Sequence, residues 1–230
     1  MKTFLSLALF VLLAAVRTSA APAYHELITK DQAVSHWSFD TLPAGQVTGA
    51  VTLGAGPQPP LFPHFSRGNQ AALFPGRAAS VRIPDAGDNS PFDFARGDTV
   101  TLEAWVLCRS IKEGQQVYIV GKGRTQNRGF APHNQNWALR LRGRGDLACV
   151  SFLFRDERNR PDKGDEDWHR WTSEMGLKPG DGWHHVAVSY TFGKGDSIKG
   201  FIDGVETGGV WDMGGQTDLG PVVDNDEVWV

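Results

Sequence analysis

Cysteine and methionine are scarce in this 230-residue chain, and long apolar runs are almost missing. Cys108 and Cys149 are the only two cysteines, so there is no CxxC redox pair and no paired spacing of the kind a zinc site needs. An excess of charge of either sign is also lacking. The 23 Lys and Arg stand against 26 Asp and Glu, a net charge of −3 that creates no global field to gather nucleic acid or anionic lipid. Beyond residue 16 no stretch approaches the roughly 20 apolar residues of a membrane-spanning helix. Amphipathic helical periodicity of useful length is absent as well, except that residues 166–174 could form a short helix before the turn cluster Lys178, Pro179, Gly180, Asp181, Gly182.

At the N-terminus Lys2 precedes an apolar run over residues 4–16, followed by the small residues Thr18, Ser19, Ala20 and Ala21. That is the pattern of a secretory signal peptide over residues 1–20, cleaved after Ala20 or Ala23, and it predicts a secreted, periplasmic or cell-surface protein with no membrane insertion after cleavage. Such a compartment permits a disulfide between Cys108 and Cys149. The alternative is two buried thiols in neighbouring strands, and both segments are apolar and strand-like, which leaves both states open. The 27 Gly, 13 Pro and 8 Trp make a turn-rich, aromatic-rich composition suited to many short strands. With no low-complexity linker in view, residues 21–33 read as a lead-in and 34–230 as one domain.

Short alternating apolar and polar runs, bounded by Gly, Pro, Asp and Asn, recur from about residue 34 onward. They predict antiparallel strands at 35–40, 70–74, 80–83, 99–108, 116–121, 137–142, 147–155, 183–191 and 198–202. In the fourth, Val100, Leu102, Ala104, Val106 and Cys108 share a face and should point to the core, with Thr101, Glu103, Trp105 and Leu107 opposite. Asp203-Gly204 has the residues of a tight hairpin turn. The expected fold is all-β, an antiparallel two-sheet sandwich with polar loops at its rims.

An ordered set of segments then bears on family: HWSFD at 36–40, GNQAALFPG at 68–76, FDFARGDTVTLEAWV at 92–106, VYIVGKG at 117–123, NWALRL at 136–141, GWHHVAVSYTFG at 182–193 and GFIDGVE at 200–206. In this order they resemble the laminin-G-like, or concanavalin-A-like lectin/glucanase, jelly-roll family across nearly the whole mature chain. The resemblance implies a jelly roll and a binding role. Members close with a strand like G-x-I-D-E-V-x-I-Y, which this sequence lacks; residues 227–230 read as the strand before it, predicting a sheet short of its last strand with an unpaired edge. Related domains accompany catalytic modules in large secreted bacterial proteins.

Catalysis is not expected. Glucanases of this fold carry two glutamates flanking an aspartate on one strand, because retaining hydrolysis needs two carboxyls about 5 Å apart, and no such strand occurs here. The acidic stretch from Asp156-Glu157 to Asp165-Glu166-Asp167 is interleaved with Arg, Asn, Pro, Lys and Gly and reads as a solvated loop. Glu103 stands alone on its strand, and His184 and His185, adjacent on another, must point to opposite faces. Trp168, His169, Arg170 and Trp171 form the most unusual patch, aromatic rings flanked by polar groups, and are the candidate carbohydrate contacts. Arg124, Asn127, Arg128, His133 and Asn134 are further polar candidates in a long loop. The resemblance also implies Ca2+ at a sandwich rim, with Asp40, Asp224 and Asp226 as candidate ligands. The expected function is a non-catalytic module binding carbohydrate; the alternatives are adhesion to an extracellular protein and targeting of a larger secreted enzyme.

Overall fold

A computed structural model describes residues 23–230 apart from positions 77 and 164 and the side chain of Pro161; the expected signal peptide lies outside the described residues. In chain order the elements are α1 (Tyr24–Lys30), β1 (Val47–Thr48), β2 (Thr52–Ala55), β3 (Gln70–Leu73), β4 (Ser80–Ile83), β5 (Thr99–Val106), β6 (Gln116–Lys122), β7 (Trp137–Arg144), β8 (Leu147–Arg155), β9 (Trp168–Leu177), β10 (His184–Thr191), β11 (Lys199–Ile202), β12 (Val205–Thr207), β13 (Gly209–Met213) and β14 (Val228–Trp229). Two antiparallel sheets face each other. The larger runs β1-β4-β14-β6-β7-β8-β9-β13, the smaller β12-β11-β10-β5, and β2 with β3 form a separate ribbon. Among the described residues no helix is long and apolar enough to cross a membrane.

Period-two alternation builds the core. Leu139 and Leu141 of β7, Val150, Phe152 and Phe154 of β8 and Trp171 of β9 meet Val100 of β5 and Val186, Val188 and Tyr190 of β10. As the alternation predicts, Val100, Leu102, Ala104 and Val106 face inward, and Cys108 is buried in the same cluster. Rings from both sheets interlock at one end, with Phe152 and Tyr190 centroids 5.4 Å apart, Tyr190 and Phe192 5.2 Å, and Tyr190 and Trp211 5.6 Å. Each such pair adds about 0.5–1.5 kcal/mol to the burial of its area. The Asp203-Gly204 turn forms between β11 and β12 with φ of 51° and 77°, the left-handed pair that a two-residue hairpin of this twist requires.

Two expectations change. Residues 35–40 form no strand: Phe39 sits at φ 54°, and the segment is held by ring contacts, Trp37 to Phe92 and Phe39 to Phe74, rather than by a ladder. The helix expected over 166–174 is replaced by β9, because WHRWTS alternates by two and both neighbouring strands, β8 and β13, pair with it. β14 lies inside the large sheet between β4 and β6, and Val230 exchanges backbone hydrogen bonds with Val81.

α1 and the segment after β2 cover the outer face of the small sheet. Trp105 is boxed there by Phe62, Phe65, Tyr24 and His185, with ring centroids 5.2–6.2 Å away.

Candidate functional site

α1 packs on the small sheet; the outer face of the large sheet carries a second polar set, although Ala138, Arg140, Ser151, Leu153 and Arg155 on it are 5% exposed or less. On β7 the side chains that turn away from the core are Ala138, Arg140 and Arg142. Register carries this parity across the sheet: Tyr118 and Ser151 stand opposite Arg140, Trp229 opposite Arg82, Arg170 opposite Leu153, and Trp168 opposite Arg155. Arginines and rings therefore alternate along the face. The Arg82 guanidinium lies 4.7 Å from the Trp229 ring centre, Arg124 lies 5.3 Å from Trp229 and 5.2 Å from Tyr118, Arg140 lies 5.4 Å from Tyr118, and Arg155 lies 5.5 Å from Trp168. These are cation–π distances.

Charge on this face is unevenly compensated. Asp212 accepts from Arg170 Nε at 2.6 Å and Thr172 Oγ1 at 3.1 Å and lies 3.7 Å from Arg142 Nε, so one carboxylate serves two guanidiniums. Glu227 pairs with Arg82 at 3.6 Å. Arg140 has no carboxylate among the described residues. It is 4% exposed, donates to Ser151 Oγ at 3.4 Å and is hydrogen-bonded to the Tyr118 side chain, and its buried Nε has no acceptor. Burial draws this guanidinium below the ordinary arginine value despite Tyr118, and Arg170 and Arg142 press in the same direction.

Strand geometry splits the expected patch in two. Trp168 and Arg170 reach the outer face, whereas His169 and Trp171, each 2% exposed, turn into the core. His169 stacks on Phe154 with Nε2 3.0 Å from Asp156 and Nδ1 2.9 Å from the Gly215 carbonyl, and Trp171 packs over Gly200 and Gly209. The acidic stretch is not a simple solvated loop either. Asp156 and Asp167 are fully buried, Asp156 gripped by Arg158 at 2.6 Å and Asp167 by Arg160 at 2.6 Å. Cys108 and Cys149 are free buried thiols: Cys149 stands opposite Arg142, on the far side of the large sheet from the core that holds Cys108. Burial raises both thiols above their usual value.

At the rim, the loops after β6, before β7 and before β14 converge because those three strands are neighbours. Asp226, fully buried, accepts from the Arg124 backbone N–H at 3.1 Å, Asn127 Nδ2 at 2.6 Å and Asn134 Nδ2 at 3.1 Å; Asp224 also accepts from Asn134 Nδ2. Asn134 Oδ1 and Asn136 Oδ1 are buried without a donor. Burial first, and the nearby Asp226 charge, push the Asp224 carboxyl up against the Asp226 backbone N–H. Asp40 is not part of this cluster: it is exposed, and its carbonyl accepts from Gln70 Nε2 at 3.4 Å. Asn134 turns its Nδ2 to both carboxylates, and among the described residues no group of three or more His, Cys, Asp or Glu side chains is placed to hold a metal ion.

His184 and His185 take separate partners, Asp203 at 2.7 Å and Glu103 at 3.5 Å, beside a cavity of about 520 Å³ under α1. Glu103 also accepts from Tyr24 Oη at 3.2 Å, so this constellation ties the helix to the sheet. Of this face, sequence reasoning found Trp168, Arg170 and Arg124 and missed Arg82, Tyr118, Arg140, Arg142, Asp212 and Trp229. The period-two spacing of Arg140 and Arg142 in ALRLR was the available signal.

A laminin G family model, described as the concanavalin A-like lectin/glucanases superfamily, matches residues 74–223. No curated protein matches the sequence.

Proposed function

Since the chain belongs to the concanavalin A-like lectin/glucanases superfamily, whose domains generally serve as binding modules, we propose that it is a secreted, non-catalytic carbohydrate-binding module that grips its glycan on the outer face of the large sheet. The observation that carries this reading is the alternation of rings and guanidiniums over Arg82, Trp229, Arg124, Tyr118 and Arg140. Rings stack on the apolar faces of sugars while donors at their edges bind hydroxyls. The two carboxylates paired on this face, Asp212 and Glu227, are each held by arginine, a poor arrangement for the opposed acid and base of glycoside hydrolysis.

Calcium at the rim is part of the proposal. Asp224 and Asp226 with Asn134 and Asn136 would hold it, and it would supply the positive charge that their buried oxygens lack. Arg124 joins the two regions, its backbone bound to Asp226 and its side chain lying over Tyr118 and Trp229.

The test is binding of the secreted chain to an array of neutral and acidic glycans, compared with the double variant Trp168→Ala, Trp229→Ala. Binding that falls about tenfold or more in a double variant with wild-type circular dichroism supports the reading. Undiminished binding moves the site elsewhere, and a folded protein that binds no glycan ends the carbohydrate reading.

A further inference from the structure

We infer that the Lys122 side chain condenses with that of Asp93 to form an intramolecular amide, with Asp85 carrying the protons. Register fixes where Lys122 points. It stands opposite Val228 of β14 on one side and Trp137 of β7 on the other, and Val228 in turn stands opposite Ile83 of β4. All three are core side chains, so β6 sends a lysine into the space between the sheets. There Lys122 is 0% exposed, its Nζ lies 2.8 Å from Asp85 Oδ2, and it donates to Asp93 Oδ1. The Asp85 and Asp93 side chains are 1% and 12% exposed.

The two aspartates are held differently. Asp85 follows β4, and its Oδ1 accepts from the Gly87 N–H at 2.8 Å, which turns Oδ2 to the lysine. Asp93 lies between Phe92 and Phe94, which both pack on the core. The Phe92 carbonyl accepts from Trp137 Nε1 at 2.9 Å, and the Phe94 ring centre is 6.1 Å from that of Trp137. Trp137 is therefore both the β7 neighbour of Lys122 and the post that keeps Asp93 beside it. Holding amine and carboxyl together in this way replaces a chance encounter by a fixed approach. Burying an ammonium with two carboxylates carries a desolvation cost, whereas the amide that joins two of these groups is neutral.

The reaction needs no co-reactant. Asp85 takes a proton from the Lys122 ammonium, and the freed Nζ lone pair forms a bond to Asp93 Cγ. One Cγ–O bond then breaks, and that oxygen leaves as water with the two protons that Nζ has given up through Asp85. An ammonium and a carboxylate become one amide and one water, and Asp85 ends as it began. The bond ties β6 to the β4–β5 loop in a chain whose two cysteines are free, and like a disulfide it constrains the unfolded chain.

The experiment denatures the full secreted chain and compares its intact mass with that of its sequence from the observed N-terminus. The chain is expected to be one water lighter, to resist trypsin after Lys122, and to yield a branched peptide joining Asp93 to Lys122. The full sequence mass, with cleavage after Lys122, overturns the inference and leaves a buried ion pair; a branch at Asp85 overturns the assignment of Asp93. Lys122→Met and Asp93→Ala are expected to show their full sequence masses. Asp85→Asn with wild-type circular dichroism is expected to condense about a hundredfold more slowly or worse, and condensation as complete as in wild type in freshly made protein overturns the role of Asp85. The wild-type mass decides the bond by itself, so a variant that fails to fold leaves the test intact.

Discussion

Trp171 and Arg140 sit on opposite sides of the same sheet, and their environments impose opposite demands. Trp171 is a core side chain whose indole fills the space left by Gly200 and Gly209; a β-carbon at either glycine would run into the ring. Trp171→Ala is therefore expected to destabilise by about 3–5 kcal/mol and Gly209→Ala by about 1–3 kcal/mol through overpacking, both read from urea unfolding midpoints. Arg140 is the reverse case, a buried residue whose removal relieves a cost. Sequence alone distinguishes neither, since a tryptophan flanked by polar residues reads equally as a contact or an anchor. The alternate arginines of ALRLR were legible as one face of a strand, but their lack of carboxylates depends on residues from β8, β9 and β13.

β9 shows how an element is decided by its neighbours. The run 166–174 carries helix-tolerant residues, but β8 and β13 supply a ladder on each side, and the two-residue alternation then assigns His169 and Trp171 inward and Trp168 and Arg170 outward. The segment leading into β9 is anchored by buried aspartates. Arg160 holds the Asp167 carboxyl below the ordinary aspartate value against the opposing effect of burial. A carboxylate whose pKa is depressed on folding stabilises fully above its unfolded value and loses that contribution as pH falls through the folded one. Stability of the wild type should therefore decline below about pH 4, while Asp167→Asn should be less stable at neutral pH and less sensitive to acid. Chemical unfolding followed across that range checks both slopes.

Across the whole molecule, the two outer faces have different fates. One is closed by α1 and the box around Trp105, and the other carries arginines stacked over rings, with Arg140 and Arg155 buried among them. The rim lies beside the latter face, and Arg124 connects them, so metal and glycan binding should be coupled. Calcium is expected to raise Tm, by an amount reaching about 2.7 kcal/mol of stability at a hundredfold excess over the dissociation constant. A chelator should reverse the rise, and Asp226→Asn should abolish it. A melting temperature that does not respond to calcium would remove the metal from the proposal.

Local pattern by itself determined the all-β class, most strand positions, the inward face of β5 and the turn at Asp203-Gly204, because alternation and turn chemistry are properties of neighbouring residues. Only the tertiary structure decided that Trp171 is core, that Cys108 and Cys149 face different sides of a sheet, that Asp224 and Asp226 share a cluster without Asp40, and that Arg140 is held by Ser151 and Tyr118 with no carboxylate partner among the described residues. Each of these depends on which strands become neighbours, and the residues that meet there are far apart along the chain. A two-residue repeat fixes the side of a strand on which a residue lies, but it carries no information about what will stand opposite.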